Sequence, residues 1–355
     1  MNRPADALID RVDAALATFI ASRDKSLATV GPDIAPLADA ARTFVLDGGK
    51  RLRPSFAYWG WRTTRCAADD DSALVTAAAS LELLHACALV HDDVMDASAT
   101  RRGQPSAHLA FADMHRRAGW TGDPEVFGTA AAILLGDLLL SWADSMFAAA
   151  GLTGAAGAAT RDVWDDMREL VMAGQYLDVL VQARGEFSAE DSLRVAKFKT
   201  GKYTVEGPLH LGAAAAGAPP EVFAALSAYG LPLGEAFQLR DDVLGVFGDP
   251  ARTGKPIGDD LREGKHTLLV ALAMQRSSAD QAALIRRDLG NRSLSPDRVA
   301  ALCEVIIATG ALAEVEQRIA VGTAHAREAL RNEALSADSR NALDALALAA
   351  TQRST

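Results

Sequence analysis

Apolar residues recur at helical spacing along almost every long segment of the chain. The pattern predicts helices over 34–46, 73–91, 129–149, 161–183, 188–200, 221–247, 265–275 and 297–331. Near the start, Leu8, Ile9, Val12, Leu16, Phe19 and Ile20 keep the same spacing, so residues 1–30 read as an amphipathic helix. Segment 73–90 is apolar around most of its circumference and is expected to be a central, buried helix. Alanine and leucine dominate, and alternating Val/Ile/Thr runs joined by hairpin turns are missing. Breakers separate the segments: "DGGKRLRP" at 47–54, "AGWTGDPE" at 118–125, "AGAPP" at 216–220, "GDPARTGKPIGDD" at 248–260 and "NRSLSPD" at 291–297. With no fixed-period repeat and no low-complexity linker, one all-α domain over 1–355 is expected.

Composition adds exclusions. The 355 residues are 49% hydrophobic and 23% charged, enough apolar material for a large core. Net charge is −10 and no long Lys/Arg run occurs, which argues against nucleic acid as a partner. Asp6, Asp10 and Asp13 interrupt the apolar stretch that a secretory signal would need. The longest apolar run, Ala73 to Val90, carries Glu82 and His85, so no transmembrane segment is expected. Cys66, Cys87 and Cys303 have no metal-site spacing and form no disulfide framework, which fits a reducing, cytoplasmic compartment.

Adjacent aspartates are common here, at 69–71, 92–93, 165–166, 241–242 and 259–260, so a bare pair carries little information. Asp69–Asp71 precede a helix whose amino terminus favours negative charge. Asp165 and Asp166 sit on an amphipathic helix and are expected to be exposed. Two pairs differ. Asp92–Asp93 end the apolar helix, and Asp241–Asp242 follow "YGLPLGEAFQLR". Carboxylates at the end of a buried helix are costly without compensation. Asp92 and Asp96 are four apart, so on a continuing helix their Cβ atoms lie roughly 5–6 Å apart on one face. That geometry suits a hard cation such as Mg²⁺, which takes one or two carboxylates and fills its shell with substrate phosphates.

Basic residues accompany these carboxylates. They are Lys50, Arg51 and Arg53 in "GGKRLRP", Arg101 and Arg102, Lys197, Lys199 and Lys202 in "KFKTGKYT", Lys255 in "TGKP" and Lys265 in "EGKH". Each alone is an ordinary surface charge. Together with glycine and aspartate punctuation they point to a diphosphate substrate, because each charge-assisted hydrogen bond contributes on the order of 1.5–3 kcal/mol.

In this order, "GGKRLRP", "HDDVMD" with "RRGQPSAH", "GDLLL", "GQYLDV", "KTGKYT" and "FQLRDDVLGVFGD" with "TGKPIGDDLREGK" resemble the trans-isoprenyl diphosphate synthase (polyprenyl synthetase) family, most like its bacterial geranylgeranyl diphosphate synthases. The resemblance covers about residues 40 to 275 and implies an all-helical bundle around a central cavity, assembled as a homodimer. The implied reaction is condensation of isopentenyl diphosphate with an allylic diphosphate. Several Mg²⁺ ions bridged by substrate diphosphate would be held by Asp92 and Asp96 and by Asp241, with Asp93 and Asp242 as weaker candidates. Arg101, Lys199, Thr200, Gln238, Lys255 and Lys265 would surround the allylic diphosphate. Lys50, Arg53, His85 and Arg102 would bind isopentenyl diphosphate. One departure stands out: many members carry a third aspartate where this chain has Gly245.

Farnesyl-specific relatives often carry a bulky aromatic residue five positions before the first aspartate. Here Cys87 and its neighbour Ala88 are both small. Leu84 and Leu81, deeper in the helix, become candidate floors for a growing tail, as do residues near Leu134 and Leu138, and a geranylgeranyl product is expected. A farnesyl or longer-chain synthase, a non-catalytic regulatory subunit and a terpene cyclase are the competing readings. A cyclase needs no second diphosphate site, and a regulatory subunit would be expected to lose aspartates that are present here.

Overall fold

Leu8, Val12, Leu16 and Ile20 are spaced four apart, and helix α1 (Pro4–Leu27) buries all four. A computed structural model describes residues 4–65, 68–250 and 256–352, so Cys66 and Lys255 lie outside the described residues. The chain divides into two compact units, Met1–Arg161 with Leu211–Ala218, and Asp162–His210 with Pro219–Thr355.

The first unit is organised on α4 (Ser72–Met95). It buries Leu74, Val75, Leu81, Leu83, Leu84 and Val90 from several sides, as its unbroken apolar run predicts. Around it lie α1, α2 (Ala35–Leu46), α3 (Leu52–Trp61), α5 (Ala107–Ala118) and α6 (Pro124–Ala149). Asp123 caps α6, its carboxylate accepting the amides of Glu125 and Val126 at 2.8 and 3.3 Å. α4 and α6 are both long and apolar enough to cross a membrane by length and composition. They pack on each other, and the most apolar window of α4 is 72% buried, as a core helix would be.

Gly136 of α6 leaves the space that His91 of α4 occupies, since a Cβ there would overlap the imidazole. The His91 Nε2 group lies 3.1 Å from the Ile133 carbonyl, which can only accept, so this nitrogen carries the proton. The two helices are thereby pinned one residue before Asp92.

A two-stranded hairpin follows, which the absence of strand-like alternation did not predict. Thr100–Arg101 pairs with Gln104–Pro105. Its turn residues Arg102 and Gly103 have φ of 53° and 75°, the backbone of a two-residue turn matched to strand twist. Two residues per strand are too few for periodicity to register.

The second unit takes most of α7 (Gly154–Arg184), then α8 (Ala189–Val195), a π-helix over Ala196–Glu206, part of α9 (Gly207–Ala215), α10 (Pro220–Phe247), α11 (Asp259–Glu263), α12 (Leu268–Arg276) and α13 (Ala279–Asp288). The expected single helix over 297–331 is two, α14 (Pro296–Ala308) and α15 (Ala311–Ala329). Gly310, at φ 73°, adopts a left-handed conformation that ends one register and starts the next. α16 (Ala337–Thr351) closes the order. The core here includes Leu239, Val243, Val246, Leu261, Leu269 and Ile306.

The expected helix over 188–200 becomes α8 and then the π-helix, because glycines let neighbouring backbones crowd it. A Cβ on Gly174 of α7 would stand 2.6 Å from the Phe198 carbonyl carbon, and one on Gly234 of α10 would overlap Gly201. A widened turn between two close helices presents Lys199 and Thr200.

Candidate active site

Two groups of predicted site residues form, one in each unit. In the first, α4 ends at Met95, with Asp96 as its carboxyl cap and the Asp96 amide 2.8 Å from the Asp92 carbonyl. Asp92 is half-buried and Asp96 is buried. Both carboxylates lie at the negative end of the helix dipole, where a cation is favoured and a second negative charge is not.

Asp93 points the other way and is fully buried. Its carboxylate accepts Arg101 Nε at 3.0 and 3.2 Å and also Arg101 Nη2. In this structure Asp93 orients Arg101. Arg102, at the hairpin turn, extends Nη1 to the carbonyls of Asp47 (3.2 Å), Phe44 and Gly48 (both 3.4 Å), the carboxyl end of α2. It therefore tethers the double-glycine loop that carries exposed Lys50 and leads into α3 with half-buried Arg53.

Arg51 has no predicted role beyond its charge, yet it organises this loop. Its backbone is left-handed at φ 47° and its side chain is buried. The guanidinium donates to Glu82 at 2.9 Å, Asp13 at 2.8 Å and the Val45 carbonyl at 2.9 Å. The non-glycine residues with positive φ are Arg51, Ala97 and Arg102 among the described residues; Arg51 and Arg102 lie within the motifs and Ala97 directly follows "HDDVMD". Such strain persists where surrounding contacts over-determine it.

His85 lies on α4 about 10 Å along the axis from Asp92. Burial, then the charges of Arg53, Arg102, Arg101 and Arg51, hold its pKa well below the usual imidazole value. Burial and this positive field together keep the ring neutral, and the same field would attract an anion. A diphosphate bound beside these arginines should offset their charge and raise the His85 pKa. Histidine-resolved NMR titration with and without this ligand checks it, and an unmoved midpoint at saturation would exclude His85 from the site.

In the second unit, Lys199 Nζ lies 2.7 Å from Asp178 of α7, the acid of "GQYLDV". Thr200 Oγ1 donates to Gln238 Oε1, and Gln238 Nε2 donates to Asp242 Oδ1 at 2.7 Å. Asp242 is buried while Asp241, its neighbour, is half-buried. Burial pushes the Asp242 pKa up to about 8; the Gln238 bond opposes this, and Asp260 and Asp241 add to it. Lys265 Nζ stands 3.0 Å from Glu263 and 3.7 Å from Asp260.

The two motifs share one logic. The first aspartate of each pair is half-buried, and the second is buried and bonded to a protein partner. Among the described residues no three acidic, histidine or cysteine side chains converge on a metal cage. An ion that takes one or two carboxylates and completes its shell from a diphosphate fits this arrangement. Asp178, Arg51 and Glu82 were not assigned roles from the sequence, because their partners lie 21, 31 and 38 residues away.

Of the expected floor residues, Leu81, Leu84 and Cys87 are buried and Ala88 is half-buried. Leu134 turns outward with 60% exposure, and the buried leucines of α6 are Leu135 and Leu139. Cys87 Sγ lies 3.8 Å from His91 Nδ1, and burial pushes the thiol up to about 12.

The polyprenyl synthetase family model matches residues 35–306. A geranylfarnesyl diphosphate synthase from Aeropyrum pernix is 33% identical over 314 residues, 87% of this chain and 92% of that protein. A (2E,6E)-farnesyl diphosphate synthase from Mycobacterium tuberculosis is 34% identical over 281 residues, 77% and 72% of the two chains. The crystal structure of a geranylgeranyl pyrophosphate synthase from Corynebacterium glutamicum, complexed with isoprenyl diphosphate and magnesium, superposes with a TM-score of 0.95 at 43% identity. That match covers 99% of this chain and 100% of the other. With its ordered motifs, all-helical fold and a family model spanning both units, the chain belongs to the polyprenyl synthetase family.

Proposed function

We propose that this protein is a magnesium-dependent trans-prenyltransferase that joins isopentenyl diphosphate head-to-tail to an allylic diphosphate and releases geranylgeranyl diphosphate. The observation that carries the reading is the pairing, on one helix, of a cation-seeking end at Asp92 and Asp96 with the arginine-surrounded His85. A reaction of two diphosphates, one departing with metal and one retained, needs both.

Asp92, Asp96 and Asp241 would hold the magnesium. Bound there, it would supply positive charge to the departing diphosphate. Arg101, oriented by Asp93, would bind the allylic diphosphate together with Lys199, Thr200, Gln238, Lys255 and Lys265. These donors stabilise charge as the allylic carbon–oxygen bond breaks. Lys50, Arg53, His85 and Arg102 would hold isopentenyl diphosphate so that its double bond attacks the allylic cation. One proton then leaves and an alkene forms; the released diphosphate is the nearest base, and no side chain is assigned to the step.

The same reading makes the protein cytoplasmic and a homodimer. Val126, Ile133 and Leu134 of α6 are 67%, 43% and 60% exposed, an apolar face suited to a second copy. Incubation of purified protein with radiolabelled isopentenyl diphosphate, dimethylallyl diphosphate and Mg²⁺ is expected to give a prenyl diphosphate of geranylgeranyl length by chromatography. No elongation would remove the synthase reading, and a cyclised hydrocarbon would replace it with a cyclase.

A further inference from the structure

The π-helix carries a second polar cluster, at the end away from Lys199 and Thr200, that the proposed chemistry does not use. Glu206, its last residue, is 3% exposed. A carboxylate buried that deeply is costly unless it is paired and hydrogen-bonded. Lys202 Nζ lies 2.5 Å from its Oε2, and Ser227 of α10 donates to its Oε1 at 2.7 Å. A hydroxyl has one proton to give, so Ser227 Oγ accepts from His210 Nε2 of α9 at 3.0 Å. Burial above all lowers the His210 pKa, so the ring is neutral near pH 7 with its proton on Nε2. The Ser227 proton goes to a carboxylate and not to histidine, so the cluster activates no nucleophile. All four residues lie in the second unit.

This cluster coincides with the register of the π-helix. A Cβ on Gly234 of α10 would overlap Gly201, and one on Gly230 would stand 3.1 Å from Glu206 Cα. Gly230 and Gly234 are four apart, one α-helical turn. Gly201 and Glu206 are five apart, one turn of i to i+5 bonding. The Gly207 amide likewise donates to the Lys202 carbonyl, five residues back. Relaxation of this stretch to an α-helix would bring Val205 under Gly230 and carry Glu206 round by about 100°. Glu206 could not then keep both Ser227 and its place beneath Gly230. At the other end the same helix holds Thr200 against Gln238 and Lys199 against Asp178.

We infer that Glu206 is a positioning residue for the proposed reaction: clamped by Lys202, Ser227 and His210, it holds the π-helix in its five-residue register against α10, and that register aims Lys199 and Thr200 at the allylic diphosphate. The inference rests on the role proposed above for Lys199 and Thr200.

Calorimetric titration of the full-length protein with Mg²⁺ tests it, using farnesyl thiodiphosphate as an unreactive allylic ligand and isopentenyl diphosphate as the comparison. Glu206→Gln removes the charge that holds Lys202, and Ser227→Ala removes the bridge to His210. Both are expected to weaken farnesyl thiodiphosphate binding about 10-fold, the size of one misaligned charge-assisted hydrogen bond. Isopentenyl diphosphate binding should stay within about twofold, and Ser227→Thr, which keeps the hydroxyl, should bind both ligands normally. Circular dichroism confirms folding, and if Glu206→Gln does not fold, the milder Ser227→Ala carries the test. If Lys199→Met weakens the allylic ligand and the folded clamp variants do not, the inference falls and the role of Lys199 stands. If Lys199→Met changes nothing, that role falls and the inference with it. Equal losses for both ligands in folded clamp variants would also overturn it, because a general loosening and not the register would then be at work.

Discussion

Asp92→Asn is expected to lower the condensation rate about 10²- to 10³-fold, the loss seen when one preorganised charge-stabilising group is removed. Helical circular dichroism should be unchanged. Asp92 is half-buried at the negative end of the α4 dipole, so neutralising it relieves repulsion in the metal-free protein. The midpoint of thermal unfolding without metal should therefore hold or rise. Asp93→Ala should behave in the opposite sense. It strands Arg101 and should cost roughly 3 kcal/mol, the low end for a broken buried pair, because Arg101 keeps 18% exposure. Adjacent aspartates would then separate into a folded, inactive variant and an unstable one. Near-normal turnover of Asp92→Asn at saturating Mg²⁺ would sink the metal assignment.

Ala88→Phe is expected to shift the main product from geranylgeranyl toward farnesyl length. Along α4, Ala88 lies about 6 Å from Asp92, Leu84 about 12 Å and Leu81 about 16 Å. Ala88 is half-buried, so a phenyl ring there has room to extend without displacing packed neighbours. Cys87→Phe should shorten the product too, but at a cost. Its side chain is 5% exposed and abuts His91, and overpacking costs about 1–3 kcal/mol. Leu84→Ala should lengthen the product while destabilising the fold by about 2–5 kcal/mol. Chromatography of products with thermal unfolding separates the effects. An unchanged product distribution in both folded, active phenylalanine variants would mean that the tail does not run along this face of α4.

The sequence by itself determined most of the helices and named the candidate site residues. Helical periodicity is an i to i+4 property, so α1, α4 and α10 could be read from spacing alone. The motifs are runs of a few residues, and their order along the chain carries the family. Chain direction also placed Asp92 and Asp96 at the carboxyl end of the apolar helix.

Tertiary structure decided how deeply each charge is buried and against what. Nothing local distinguishes Asp92 from Asp93 or Asp241 from Asp242; in the fold the second of each pair is buried against Arg101 or Gln238 while the first stays half-buried. Arg51 looked like one more basic residue, and only partners on α1 and α4 turn it inward. The π-helix at Lys199 depends on how α7 and α10 crowd it, which apolar periodicity does not encode. Gly245 read as a missing ligand because a sequence motif records only its own side chains. In the fold the Asp260 carboxylate of α11 fills that space.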